Sequence, residues 1–474
     1  MPSSSESEFS SRSTAAVLPG QPRGGSSFVD SRGDGAGRPV TLAGWLSGHV
    51  AAFPLTLAVT LCLASVLNPI QPVTEERVSF GNPMLLMRLA TAGLGWVLGL
   101  WGIVQMVSAR RQLLTLPGVL LIGLVTILLG AAVLANEETK TISLACALIL
   151  GGYLMLLASC ISTLGIERTA RATFLGSAIY LLIAWFVFLF FPSVGRFYEY
   201  TDATTTVTRM GGVAHPNAIA REAAVALVVF CGLLRFRGAG FRGAVGRNGA
   251  EDRSPPLSTI SKVAIVGVLV LILATLVATI SRTSVLAGAA GVAMLFFDKL
   301  YSRRGVLLAM CGAGVLLTGF IYSSATSRDS LNSSATALVT KSGDVEELTS
   351  LTGRTQIWSE AMELISRRPL TGYGLDSAAS VMSKEAVGTH SLILHVIFSG
   401  GVVAGVFLAG LLFLTLGLAV FSKEPLFRGL ATYVLVSGLV EDTLFESFPC
   451  QLTLLFIGMM FASGQSSVVK NHWK

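Results

Sequence analysis

Charged residues are scarce in this chain. Only 13% of its 474 residues are Asp, Glu, Lys or Arg, against roughly 25% in a soluble domain. That excludes the two or three water-soluble domains that length alone would suggest. Histidine is rare too, at five residues. His390 and His395 are five positions apart, which puts them on different faces of a helix, and no ligand cluster accompanies them. No metal is expected. The six cysteines (Cys62, Cys146, Cys160, Cys231, Cys311 and Cys450) form no CxxC pair and lie in or beside apolar runs, where a thiol acts as a small apolar side chain. Acidic residues are nearly missing from the middle of those runs, and the two halves of the chain are not alike. Both facts argue against a secondary transporter, which keeps ionisable groups at mid-membrane and is built from paired halves. No cleavable signal peptide is evident.

Apolar residues make up 52% of the chain, and mean hydropathy is +0.69. The apolar runs lie near 48–67, 84–107, 113–135, 141–162, 172–192, 216–234, 262–280, 284–298, 305–323, 391–420, 428–442 and 449–464. A helix needs about 20 residues to cross a bilayer, so the expected fold is an all-α polytopic membrane protein of about twelve spans. The runs at 284–298 and 428–442 are the two that could be half-helices. The net charge of +7 carries no nucleic-acid signature, because the basic residues sit in short connections. With the N-terminus in the cytoplasm, the connections holding Arg110-Arg111, Arg168 with Arg171, Arg235 to Lys262, Lys299 with Arg303-Arg304, Lys423 with Arg428, and Lys470 with Lys474 all fall inside, as the positive-inside rule requires. The expected organisation is a disordered cytoplasmic tail over 1–45, spans one to nine over 46–323, a large outer loop over 324–390, spans ten to twelve over 391–464, and a cytoplasmic tail over 465–474. Within the loop, Gln356 to Arg368 reads as an amphipathic helix ended by Pro369. It either lies in the membrane interface or packs on the ends of the spans.

Four segments at the outer ends of the spans carry polar chemistry. Arg209, Gly211-Gly212 and His215-Pro216-Asn217 approach a helix start, where free N–H groups suit an anion or simply begin a helix. Ser281-Arg282 forms a tight turn between two apolar helices. An arginine there points to a water-filled cavity or an anionic partner, or snorkels to the headgroups. Gly353-Arg354-Thr355-Gln356-Ile357-Trp358 is followed by Pro369-Leu370-Thr371-Gly372-Tyr373-Gly374. Thr389-His390-Ser391 then leads into a helix bearing Gly400-Gly401.

This ordered set, over roughly 205–420, resembles the O-antigen ligase and polysaccharide polymerase superfamily of bacterial membrane glycosyltransferases. Ser391 stands where many members carry Asn. The resemblance implies a GT-C-like membrane enzyme of the inner membrane, with its large loop and site facing the periplasm and with no cofactor. Its donor would be a glycan on undecaprenyl diphosphate. Its acceptor would be a growing glycan chain, as in an O-antigen or exopolysaccharide polymerase, or lipid A–core, as in a ligase; transfer to protein is the less favoured alternative. Membrane lipid and other polysaccharide assembly and export proteins are the implied partners. By the same resemblance, Arg209 and Arg282 would hold the diphosphate, and His390 would activate the acceptor hydroxyl or contact phosphate. Arg221, Arg354, Tyr373, His215 and Asn217 would bind substrate or shape the loop. Glu222 and Glu441 are acid/base alternatives.

Overall fold

A bilayer offers no water to backbone amides, so a segment that crosses it must close its own hydrogen bonds. Long apolar runs with one or no charges do this as helices. The computed structural model describes residues 42–67, 69–70, 83–105, 114–200, 206–244, 259–296, 354–382, 388–421, 424–445 and 450–463. In chain order these hold α1 (Leu42–Leu67), α2 (Pro83–Gln105), α3 (Leu116–Val133), α4 (Glu137–Leu164), α5 (Ile166–Phe190) and the single turn α6 (Pro192–Gly195). A hairpin of β1 (Arg196–Tyr200) and β2 (Thr206–Met210) follows, then α7 (Pro216–Ala244), α8 (Thr259–Thr279) and α9 (Arg282–Phe296). The last elements are α10 (Arg354–Arg367), the short α11 (Ala378–Val381), α12 (Leu392–Phe421), α13 (Pro425–Ser437) and α14 (Gln451–Ser463). Met1–Val50 separate from Ala51–Lys474 as a unit of their own, and only their last residues, the start of α1, are described.

Seven of the described helices are long and apolar enough to span: α2, α3, α4, α5, α7, α8 and α12. The chain is a polytopic, mostly helical membrane protein. Of the twelve expected spans, the run at 305–323 lies outside the described residues, as do residues 1–41 of the expected N-terminal tail, the expected C-terminal tail and the first part of the outer loop. In the runs at 284–298 and 428–442 the described helices hold 15 and 13 residues, fewer than the roughly 20 of a full crossing. The all-α expectation needs one correction. Residues 196–200 and 206–210 pair as antiparallel strands, Arg196 with Met210 and Tyr200 with Thr206.

α4 is the centre of the bundle, with 83% of its span buried, whereas 22% of α8 is buried. Small residues let the helix backbones touch. A side chain at Gly95 or Gly99 on α2 would collide with Gly152 or Met155 on α4. The same holds for α9 and α13, where Gly291 and Gly429 face each other's carbonyls. Close approach of this kind, rather than a hydrophobic drive, holds helices together in lipid. Gly288 lies against Ala224 and Gly291 against Val228, so α9 runs parallel to α7. The start of α9, with Arg282, therefore lies level with the start of α7.

α12 is not a continuous span. It breaks at Gly401, whose φ is +74°. Val402 N–H donates to Pro369 O at 2.7 Å, while Phe398 O and Ser399 O accept from Tyr373 N–H and Gly374 N–H at 2.9 Å each. The chain at 369–374 thus takes over the hydrogen bonds that the break releases, which makes non-helical backbone tolerable inside a membrane protein. A Cβ at Gly401 would stand 2.3 Å from Leu370 O, and one at Gly372 (φ +63°) 2.6 Å from Phe398 O. The glycines of both motifs are therefore the two halves of one splice.

Candidate active site

The amphipathic helix expected over 356–368 is α10. It packs on α12 through Ala361 and Ile365, in a cluster with Tyr373, Ala378, Met382 and Phe398. Tyr373 is buried in this joint. It stacks on Phe398 with centroids 5.0 Å apart and donates its hydroxyl to Leu364 O at 3.0 Å. The Arg368 guanidinium caps its ring at 5.1 Å. These contacts belong to the joint between α10 and the splice.

The first residue of α10 is Arg354. Its Nη2 donates to Glu441 Oε1 at 2.9 Å. Arg221, in the second turn of α7, places Nη1 3.6 Å from Glu441 Oε2. The ring of His390 approaches the same oxygen, with Nδ1 at 3.9 Å. Glu441 sits in the turn after α13, beyond the helix, with its side chain 5% exposed, while Arg221 and Arg354 keep 16% and 14%. Four segments far apart in sequence therefore meet at one carboxylate. Burial pushes Glu441 up, but contact with His390 and the charges of Arg221 and Arg354 outweigh it and hold the group down to about 2. A carboxylate that acidic is a poor proton acceptor and is never a proton donor near neutral pH. It organises charge rather than moving protons. Two guanidiniums thus bracket one carboxylate from two different helices.

His390 has a backbone φ of +49°, which a non-glycine residue holds only when its surroundings fix it. Its imidazole is 34% exposed, the most open of the four groups. Trp358 Nε1 on α10 donates to Thr389 O at 3.0 Å, so the Gly-Arg-Thr-x-x-Trp motif supplies both Arg354 for the cluster and a clamp on the histidine loop. His395 stands apart from this cluster: its Nε2 lies 2.9 Å from Phe445 O and, since a carbonyl only accepts, donates to it.

The remaining expected residues fall next to one another at the α7 start. Arg209 is buried. Its Nε donates to Thr279 O and its Nη2 to Asn217 Oδ1, both at 2.7 Å. It ties the hairpin to the start of α7 and to the end of α8, two residues before Ser281-Arg282. His215 caps α7 by accepting Asn217 N–H at 3.3 Å, and its ring meets Phe197 edge-on at 5.1 Å. Arg282 is an exposed first residue of α9, set by Ile280 at φ +51° and by a Ser281–Ser284 hydroxyl bond of 3.0 Å. Glu222, the other acidic alternative, is 1% exposed and faces the interior of the bundle. Among the described residues, no group of three His, Cys, Asp or Glu could hold a metal.

Among curated proteins and among solved structures, none matches the chain. A family model described as O-antigen ligase matches residues 267–409. That stretch runs from α8 through most of α12 and takes in Arg282, Arg354, the splice and His390, while Arg221 and Glu441 lie outside it. This match supports the resemblance of that stretch to the O-antigen ligase and polysaccharide polymerase superfamily.

Proposed function

We propose that the chain transfers a glycan from undecaprenyl diphosphate to an acceptor hydroxyl at the periplasmic face of the inner membrane, polymerising the repeat units of an O-antigen or exopolysaccharide. The observation that carries this reading is the convergence of Arg221, Arg354 and His390 on Glu441. The arrangement fixes Arg221 and Arg354 beside one carboxylate, and Arg282 stands at the level of the α7 start. A diphosphate leaving group develops negative charge that calls for preorganised cations in a low-dielectric site, and guanidinium forks suit phosphate oxygens. The acceptor hydroxyl attacks the anomeric carbon, the bond to the diphosphate oxygen breaks, and the pair of electrons leaves with the lipid diphosphate. The hydroxyl proton goes to His390, the open, titratable base of the cluster. Because diphosphate is a good leaving group, no general acid and no metal are required. Arg209 and Asn217 act behind the site by fixing the turn that presents Arg282. A twelve-span topology with both termini cytoplasmic accords with the charge pattern of the connections.

A second reading, ligation of the finished glycan to lipid A–core, is favoured by the family description itself. Deleting the gene and separating the surface glycans distinguishes the two. Single repeat units on lipid A–core mark a polymerase. Loss of polymer from lipid A–core, with lipid-linked polymer accumulating, marks a ligase. Unchanged glycan profiles would overturn both. For the site itself, purified chain in lipid nanodiscs should transfer glycan from lipid-linked material extracted from the deletion strain.

A further inference from the structure

Asp442 follows Glu441 in the chain but faces the other way. Its Oδ1 accepts Ser391 N–H at 2.9 Å and the Thr389 hydroxyl at 3.2 Å. The two neighbours of His390 are thus both held by one carboxylate oxygen. Asp442 Oδ2 faces His395 Nδ1 at 3.7 Å. That nitrogen is buried and makes no hydrogen bond, while the opposite one, Nε2, donates to Phe445 O at 2.9 Å. One further contact closes the arch: Leu392 N–H donates to Gly438 O at 2.9 Å. The acid pair therefore acts on His390 twice, through Glu441 at its ring and through Asp442 at its backbone.

We propose that Asp442 is the positioning residue of His390: by tying down Thr389 and Ser391 it imposes the left-handed backbone that aims the imidazole at the acceptor. This rests on His390 acting on the acceptor side of glycosyl transfer. A His390 free to relax to negative φ swings its ring away from the cluster, yet the arginines that hold the diphosphate stay in place. Loss of Asp442 should therefore lower turnover and spare donor binding. An asparagine at 442 keeps the Oδ1 acceptor for Ser391 N–H and Thr389. It also offers an amide N–H to His395 Nδ1, so Asp442→Asn should rescue what Asp442→Ala removes.

The test uses full-length chain in nanodiscs, lipid-linked glycan from a deletion strain as donor, and undecaprenyl diphosphate as the binding probe. His390→Ala, Asp442→Ala, Asp442→Asn and Thr389→Val are compared. Asp442→Ala is expected to lower kcat about 10- to 100-fold, the size of effect seen when a supporting hydrogen-bond shell is lost, with probe Kd and donor KM within about twofold. Asp442→Asn should recover to within roughly threefold of the parent, because both hydrogen bonds are kept. Thr389→Val, which leaves the Ser391 bond, should lose about 3- to 10-fold in kcat and keeps the proposal testable if Asp442→Ala does not insert. Near-parental kcat in both Asp442→Ala and Thr389→Val, or an Asp442→Asn variant no better than alanine at equal expression, would overturn the positioning role. Full turnover in His390→Ala would instead overturn the catalytic reading beneath it.

Discussion

Replacing Glu441 with alanine leaves the Arg221 and Arg354 guanidiniums close together with no carboxylate between them. Two estimates of the cost agree. Removing one partner of a buried ion pair costs about 3–5 kcal/mol, and the 16% and 14% exposure of the two arginines lets water recover part of it, leaving about 2–3 kcal/mol. Independently, a glutamate that ordinarily titrates at 4.5 is held to about 2 here, a depression worth roughly 3 kcal/mol at about 1.4 kcal/mol per tenfold. Because the folded value is depressed, this stabilisation is complete above pH 4.5 and fades as pH falls through 2. Glu441 therefore adds no pH dependence between about 5 and 8, and any inflection of activity there belongs to another group. If the misplaced guanidiniums fail the diphosphate by the same margin, kcat/KM falls about 30- to 150-fold. Glu441→Gln should be milder, since its amide oxygen still accepts from Arg354. The assay is transfer from lipid-linked donor by purified variants, with thermal unfolding in detergent measured alongside. A Glu441→Ala variant within twofold of the parent in kcat/KM, with unchanged unfolding, would refute the reasoning.

Further outcomes follow from the same geometry. Arg282→Ala and His390→Ala should abolish glycan assembly in cells while inserting at normal levels, as read by immunoblot of membranes and by gel of surface glycan; normal polymer length in both would displace the site. Gly401→Ala should cost about 2 kcal/mol or more, because it meets both a left-handed backbone and the Leu370 carbonyl, and thermal unfolding measures this. Tyr373→Phe removes only the bond to Leu364 O, so about 0.5–1.5 kcal/mol of stability and little activity should be lost. EDTA should leave transfer unchanged when measured in the same nanodisc assay.

The sequence made the spans legible because composition alone decides them: an apolar run of 18 residues or more has few alternatives to a helix in lipid. It also marked Arg221, Arg354 and His390, since each stands out against apolar or glycine-rich surroundings. Glu441 was harder to weigh. Its partners lie 220, 87 and 51 positions away, and a Glu-Asp pair after an apolar run looks like an ordinary loop. The opposite facings of Glu441 and Asp442 depend on the turn after Ser437, which no local pattern encodes. The β1–β2 hairpin was missed because its strands are short and carry no Asn-Gly or Asp-Gly turn. The break in α12 was hidden by continuous apolar sequence on both sides, though the two adjacent glycines were its trace. Tyr373 could equally have been a sugar contact or a loop-shaping residue beside two turn glycines, and its burial between α10 and α12 could only be seen in three dimensions.

The splice at Gly401 bears on how such chains can be recombined. The segment bearing Trp358, Tyr373 and the turn glycines is not a module that can be cut out and exchanged, because three main-chain groups inside the bundle depend on it for their partners. A chimera that grafts this stretch from a relative keeps these hydrogen bonds only if the membrane half of the joint travels with it. The outer loop and the membrane helix are therefore joined through shared backbone, and each restrains how freely the other can drift.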